Sequence, residues 1–229
     1  MFRCIPSFDM YPKLLLSGLL LLAGSAHAQL GVRAGANTTT MAIETPQQGQ
    51  RASADAKAGF QVGVYYEHQL GARFSVVPEL QFSRQRTQLR LEESIFADPT
   101  YASDYRLSQS YLQLPVLLRA RFGRFYVEGG PQASLQLASR EVGTEFYGTL
   151  AGSFYADIDR AATDRYRRLD VGVCAGLGVQ LPSGFGIGLR GTAGLLPLQR
   201  QDSRTPAYSG NLRSQSVQAS ISYQLRPRS

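Results

Sequence analysis

The sequence predicts an all-β protein, an eight-stranded antiparallel up-and-down transmembrane β-barrel. Three observations lead to this fold class. Eight segments alternate apolar and polar residues with the two-residue period of a strand, and none has the 3.6-residue spacing of a helix. The links between the segments are short and long in turn, and an export signal precedes them. An even strand count with short turns at one end and long loops at the other is typical of bacterial outer-membrane barrels.

The export signal occupies residues 1–28. Lys13 precedes an apolar run from Leu14 to Ala23, and the small-x-small site Ala26-His27-Ala28 follows. This pattern predicts a signal peptide that is cleaved after Ala28. The apolar run is shorter than the roughly 20 residues that a membrane-spanning helix needs. Translation starts at Met1 or Met10, and residues 29–229 form one barrel domain in either case.

The predicted strands each carry one apolar and one polar face. They cover residues 29–39, 58–70, 73–91, 105–122, 124–139, 168–181, 184–198 and 214–225. Tight turns around Gly71, Gly123 and Pro182 join the second strand to the third, the fourth to the fifth and the sixth to the seventh. Long polar links at 40–56, 92–104, 140–167 and 199–213 join the others. In an outer-membrane barrel the short turns face the periplasm and the long loops face outward.

The polar faces indicate which side of the barrel meets lipid. In the stretch YLQLPVLLRARF (111–122), Leu112, Leu114 and Leu118 alternate with Gln113 and Arg119. Other polar faces are rich in glycine and in charges of both signs. A narrow eight-stranded interior has room for such residues, whereas glycines on a solvated face would weaken the strands. We therefore expect the apolar faces to contact lipid. The alternative is a soluble barrel whose apolar faces surround a ligand.

Charged residues on the inward faces are predicted to form an interior polar network. Its members are Arg33, Glu67, Glu79, Arg119, Arg121, Glu128, Asp170 and Arg190. Charges in a low-dielectric interior need partners or water. A salt-bridged plug is the first interpretation, because eight strands leave space only for side chains. A narrow ion path is the alternative.

The outward face of the third strand changes character along its length. It is apolar from Phe74 to Phe82 and then carries Arg84, Arg86 and Arg90. These arginines are predicted to lie at the outer rim of the apolar band, at the height of lipopolysaccharide phosphates, which arginine binds well. We therefore regard them as a candidate lipopolysaccharide contact. A solvated strand extension without a ligand is the alternative.

The sequence predicts no catalytic, cofactor or metal site. His68 is the only histidine after the signal peptide, and neither Ser75 nor Ser183 has a fixed relation to it. Zinc would need several His or Cys ligands, and Cys174 is the only cysteine left. The formal net charge is +7, but the arginines are dispersed, so we expect no nucleic-acid binding.

Several stretches resemble the PorT-type outer-membrane β-barrel proteins. They are GVRAGAN (31–37), FSVVPELQFSRQ (74–85) and YLQLPVLLRARFGRFYVEGGPQASL (111–135). The resemblance covers nearly the whole mature chain and implies an outer-membrane location. Some members of that family are linked to protein secretion, and most have no defined activity. One departure is the tail of residues 226–229, which follows the aromatic end of the last strand.

From these observations we expect a non-catalytic outer-membrane protein of the bacterial cell surface with a structural or binding role. The alternatives are a component of a secretion or assembly apparatus, then a small-solute channel, then a membrane enzyme. The expected partners are outer-membrane lipid, lipopolysaccharide and the barrel-assembly machinery during insertion. An envelope protein is a further candidate partner.

Overall fold

The computed structural model describes residues 28–43, 50–95, 98–149, 152–197 and 212–225. The predicted signal peptide, apart from Ala28, and the tail 226–229 lie outside these ranges. The strands are β1 (Ala28–Ile43), β2 (Gln50–Gln69), β3 (Phe74–Ile95), β4 (Asp98–Phe122), β5 (Phe125–Thr149), β6 (Gly152–Ala161), β7 (Leu169–Gln180), β8 (Phe185–Gly194) and β9 (Leu212–Gln224). Within the described ranges, no helix has the length and apolar character required to cross a membrane.

Eight of the strands form a closed antiparallel ring. Its order is β1, β2, β3, β4, β5, β7, β8 and β9, and β9 pairs back onto β1, for example at Ala34 opposite Ile221. Closure leaves no unpaired strand edge in the ring, which is the condition for a sheet to cross a bilayer. The predicted eight-stranded barrel is therefore confirmed.

β6 is a ninth strand that stands outside the ring. It pairs with β5 from Arg140 to Thr149, beyond the point where Leu135 pairs with Leu169, the first residue of β7. The same edge of β5 therefore pairs with β7 along its first half and with β6 along its second half.

Side-chain burial alternates along the ring strands in the predicted sense. On β4, Gln113 and Arg119 are buried, whereas Leu114 and Leu118 are each 51% exposed. The polar faces thus point inward, and the apolar faces form an outward band. At the end of the barrel that carries the short turns, the band ends in aromatic residues: Phe74, Phe122, Phe125, Phe185 and Tyr223. Such aromatic girdles are typical of a membrane interface.

Three strands continue far beyond the apolar band. β3 has 22 residues, and β4 and β5 have 25 each, whereas a transmembrane strand needs about 10. Their far halves pair with one another and with parts of β2 and β6. We call this second layer the crown, and it comprises residues 50–58, 84–95, 98–110, 139–149 and 152–168.

The inside and outside of the sheet exchange polarity where the crown begins. On β3 the inward residues change from Gln81 and Gln85 to Leu89 and Leu91, while the outward residues change from apolar to basic at Arg84. The crown has a buried core, to which Met41 of β1 also contributes: Leu89, Leu91, Tyr105, Leu107, Ile158, Ala162 and Tyr166. This is the arrangement expected where the surrounding solvent changes from lipid to water.

The prediction of long polar links was wrong for two of the four, and the link 199–213 lies outside the described residues except for Leu212 and Arg213. The links 92–104 and 140–167 are largely strands, because β3 reaches Ile95, β4 starts at Asp98, and β5 and β6 form a hairpin. The link 40–56 is likewise shortened by β1 and β2. The two-residue alternation continues in these segments, but their apolar residues face inward. A strand pattern defined by outward apolar residues therefore stops at the edge of the band.

Leu89 tests whether the crown is a cored layer that is separable from the barrel. Its side chain is fully buried, and Leu89→Ala should reduce the local stability of the crown by ~2–5 kcal/mol. We expect faster amide hydrogen exchange in residues 84–110 and unchanged exchange in residues 112–135. Val142→Ala, on the exposed outer face of the crown, is the matched control and should have little effect. Equal exchange in the two variants would contradict a crown core.

Candidate functional site

Seven charged side chains from six strands meet inside the barrel. We call them the central cluster: Arg33, Glu67, Glu79, Arg119, Arg121, Glu128 and Arg190. All seven were predicted as members of the interior network. Six of them are nearly inaccessible, and Arg121, nearest the turn end, is partly exposed. The cluster is the most polar feature of the barrel and the first candidate for a function.

Glu128 on β5 connects three arginines. One carboxylate oxygen accepts hydrogen bonds from Nε and Nη2 of Arg119, at 3.0 and 2.8 Å. The other accepts a bond of 2.6 Å from Nε of Arg190, and Nη1 of Arg33 lies 3.8 Å away. Charge-assisted bonds of this kind are the strongest that side chains form. Glu128 therefore ties β5 to β1, β4 and β8.

Glu67 on β2 organises the part of the cluster nearest the short turns. One of its oxygens accepts hydrogen bonds from Arg119, Arg121 and Gln224, at 3.0, 2.7 and 3.1 Å. Its other oxygen accepts a bond of 2.7 Å from the Ser75 hydroxyl. Both oxygens of this buried carboxylate thus have hydrogen-bond donors, which offsets the cost of burying it.

Two ion pairs of the cluster cross the full width of the barrel. Nη1 of Arg190 lies 2.8 Å from Glu79. Their strands, β8 and β3, are separated by three strands on either side of the ring. Arg33 and Glu128 join β1 to β5, which are also diametrically opposite. Side chains that meet along two diameters leave no continuous lumen at this level.

Two tyrosines support the guanidinium groups, and glycines make room for them. The Arg119 guanidinium carbon lies 4.2 Å from the ring centroid of Tyr126 and 5.9 Å from that of Tyr65. Both are cation–π distances. A side chain at Gly31 would overlap the Tyr65 ring, and one at Gly178 would overlap the Tyr126 ring. Gly31 and Gly178 therefore leave the space that the two tyrosine rings occupy, and sequence reasoning missed this pairing.

Asp170, the eighth predicted member, lies outside the central cluster. In the described part of the chain it forms no ion pair with the cluster arginines, and its carboxylate accepts a bond of 3.4 Å from the backbone N–H of Leu196. It lines a small polar cavity with Tyr111, Gln113 and Ser134, among others. The cavity volume of about 20 Å³ is enough for roughly one water molecule.

A second buried acidic site lies in the crown and was missed because its residues were assigned to a loop. Glu141 accepts hydrogen bonds from Arg160, Arg165 and Tyr166, at 2.8, 2.7 and 2.8 Å. Glu145 accepts bonds from Tyr147 and Arg160. These contacts hold β6 and the turn 162–168 over the barrel. A strand could have been recognised here from residues of one face at every second position: Glu141, Gly143, Glu145 and Tyr147.

Burial and hydrogen bonding shift the pKa values in the crown in opposite directions. Burial raises the pKa of Glu145, but hydrogen bonds from Tyr147 and Arg160 outweigh it and hold that pKa below its usual value. Burial raises the pKa of Tyr101 to about 12. At neutral pH the carboxylate is therefore charged and the phenol is neutral, which suits the bond of 3.2 Å that Tyr101 donates to Glu145.

Arg84, Arg86 and Arg90 all lie on the outward face of β3, directly beyond the apolar band. Arg90 forms ion pairs with Asp55 and Asp104, at 3.3 and 3.2 Å. Within the described residues, Arg84 and Arg86 form no ion pair. The three arginines thus differ, because one is fixed by carboxylates and two are available.

The described residues contain no arrangement that resembles a catalytic or metal site. Ser75 on β3 points into the barrel and donates a hydrogen bond to Glu67. His68 on β2 pairs with Val76 and lies on the outward face of the sheet. Asp159 and Asp164 are engaged by Arg140 and Arg168. No group of three or more metal-ligating side chains is found in the described ranges.

The family of the chain follows from a match over most of its length. Residues 23–200 match the family described as outer membrane protein beta-barrel domain, and the chain belongs to this family. The finer PorT type is not distinguished by this match. We found no matching sequence among curated proteins.

Several solved structures are similar to the chain at low sequence identity. Ail, the attachment invasion locus protein of Yersinia pestis, in complex with the heparin analogue sucrose octasulfate, is 12% identical, with a TM-score of 0.45 and coverage of 87% of this chain and 99% of that one. Neisserial surface protein A is 12% identical, with a TM-score of 0.45 and coverage of 86% and 99%. The Escherichia coli outer membrane protease OmpT is 7% identical, with a TM-score of 0.41 and coverage of 86% and 96%.

Gly188 tests the pairing of glycine with tyrosine. A Cβ at this position would lie 2.7 Å from the Tyr126 hydroxyl and 3.6 Å from its next neighbours. Gly188→Ala should therefore lower the free energy of unfolding by ~1–3 kcal/mol, as overpacking does. Adding Tyr126→Phe removes the clashing oxygen and should restore most of the loss, measured by urea unfolding of the refolded protein.

Gly178→Ala provides the matched control for this rescue. A Cβ there would lie 2.5 Å from the Tyr126 ring carbon Cζ and 2.5 Å from the Ile187 carbonyl oxygen. Tyr126→Phe removes a third contact, with the hydroxyl itself, but leaves these two in place, so it should leave most of the Gly178→Ala loss unrepaired. Rescue of both variants, or of neither, would contradict the assigned geometry.

Proposed function

We propose that this chain is a closed, non-catalytic membrane anchor for the crown, and that the crown stands outside the bacterial cell as the binding part of the protein. The single observation that carries the proposal is the pair of ion contacts across the barrel, Arg190 with Glu79 and Arg33 with Glu128. A barrel crossed along two diameters is suited to anchoring and is unsuited to transport.

The crown supports a binding role because it is built of paired strands and carries exposed aromatic residues. Phe154 and Tyr155 near the tip of the β5–β6 hairpin are 56% and 78% exposed. Phe154 stacks on Tyr147, with ring centroids 5.1 Å apart, and Tyr155 packs on Phe146 at 5.0 Å. Aromatic side chains that are held in place at low entropy cost are favoured in recognition surfaces.

The absence of catalysis is proposed on the placement of the candidate groups. His68 is the one histidine in the described ranges, and its strand directs it away from Ser75. A Ser-His mechanism needs these groups within hydrogen-bond reach. Among the described residues, the fully buried carboxylates are held by arginines and are not free to act as a general base: Glu67, Glu79, Glu128, Glu141 and Glu145.

Planar-bilayer recording tests whether the barrel is closed. We expect the wild-type protein to produce no conductance steps above the bare membrane, under conditions in which a sixteen-stranded porin gives open-channel steps. Tyr166→Ala removes the crown side chain that donates to Glu141, and this variant should also stay closed because the central cluster lies below it.

Two outcomes would contradict the proposal. Stable conductance steps from the wild-type protein would mean that the central cluster leaves an ion path. Steps that appear only with Tyr166→Ala would mean that the crown closes the pore and that the central cluster does not.

A further inference from the structure

We propose that the outer surface of β2, β3 and β4 binds the phosphates of a phosphorylated, multiply acylated glycolipid of the outer leaflet, the chemistry of lipopolysaccharide. The binding surface, which we call the basic patch, consists of Lys57, Arg84, Arg86, Arg90 and Arg106. The inference goes beyond the anchoring role, because a closed anchor needs no specific lipid.

The position of the basic patch is the first argument. The outward face of β3 is apolar up to Phe82, and Arg84 is the next outward residue. Phe60 on β2 pairs with Arg84, and its ring centroid lies 6.2 Å from that of Phe82. An acyl chain that packs on these two rings brings its headgroup to the height of Arg84 and Arg86.

The arrangement of the cations is the second argument. Lys57 is directly opposite Arg86, and Arg106 is directly opposite Gln88. Residues that alternate along a strand are about 7 Å apart, and neighbouring strands are about 4.8 Å apart. The basic patch therefore presents its charges in two dimensions, over an area that fits more than one phosphate.

The availability of the charges is the third argument. In the part of the chain that the structure describes, Lys57, Arg84, Arg86 and Arg106 form no ion pair, so their charges remain open to a ligand. Arg90 is oriented by Asp55 and Asp104. Among the described residues, the five cations share this face with three carboxylates, those of Asp55, Asp104 and Glu92, which leaves the basic patch with a net positive charge. A guanidinium group binds phosphate through two parallel hydrogen bonds.

Two other outward arginines of the crown are neutralised, unlike most members of the basic patch. Arg140 donates two hydrogen bonds of 2.8 Å to Asp159, and Arg168 pairs with Asp164 at 3.0 Å. These arginines belong to β5 and to the turn before β7. The available positive charge is thus concentrated in one sector, as a binding surface for an anionic headgroup requires.

Lipid retention measured by native mass spectrometry tests the proposal. The mature protein, refolded in a zwitterionic detergent, is mixed with bisphosphorylated lipid A, with dephosphorylated lipid A and with phosphatidylglycerol in separate titrations. We expect lipid A to be retained in preference to both other lipids. Lys57→Gln with Arg84→Gln and Arg86→Gln should weaken lipid A retention by about a hundredfold, since each cation near a lipid surface contributes about fivefold.

The matched control changes the same number of charges elsewhere. It combines Arg140→Gln, Arg167→Gln and Arg168→Gln, and it should alter lipid A retention by less than about twofold. Heat-modifiable gel mobility verifies that both triple variants are folded. Equal losses in the two variants, equal retention of dephosphorylated lipid A, or equal retention of phosphatidylglycerol would each overturn the proposal, and none of these results depends on whether the barrel conducts ions.

Discussion

The burial of charge around Glu128 is the constraint on which the rest of the barrel depends. A carboxylate in a low-dielectric interior is tolerated only where donors surround it, and Glu128 obtains these from Arg119 and Arg190. The partners lie on different strands, so they can meet in only one register of the ring. A slip of one residue would turn the charges into the apolar band. The ion pairs thus fix the strand register while they fill the interior.

A single strand can pass from lipid into water because the two-residue alternation of its side chains is the same whichever face is apolar. In the band, β3 directs Glu79 and Gln81 inward; in the crown, it directs Leu89 and Leu91 inward. The exchange occurs at Arg84, and the basic patch and the aromatic pair Phe60–Phe82 lie at this height. The position of the membrane boundary is therefore visible in the sequence, as the point where the apolar residues of β3 change from the outward face to the inward face.

The fold and the central cluster were largely predictable from the sequence, because both follow from the two-residue period. Seven of the eight predicted network residues meet, since inward position alone brings long charged side chains together in a narrow barrel. Asp170 does not join them, because its height along β7 places it beside Leu196. The crown was not predictable in the same way. Its inward Tyr105 and Glu141 share a face with Leu107, and this mixed face resembles a polar loop.

The free energy of unfolding of Glu128→Gln, measured by urea unfolding in detergent micelles, tests most directly whether the barrel depends on its buried charges. The substitution keeps the shape of the side chain and removes the charge that three buried arginines share. We expect a loss of ~3–5 kcal/mol, as for other broken buried ion pairs. Glu92→Gln, at an exposed position on β3, should change the value by no more than about 0.5 kcal/mol. A Glu128→Gln protein as stable as the Glu92→Gln protein would contradict the central role of the buried charges.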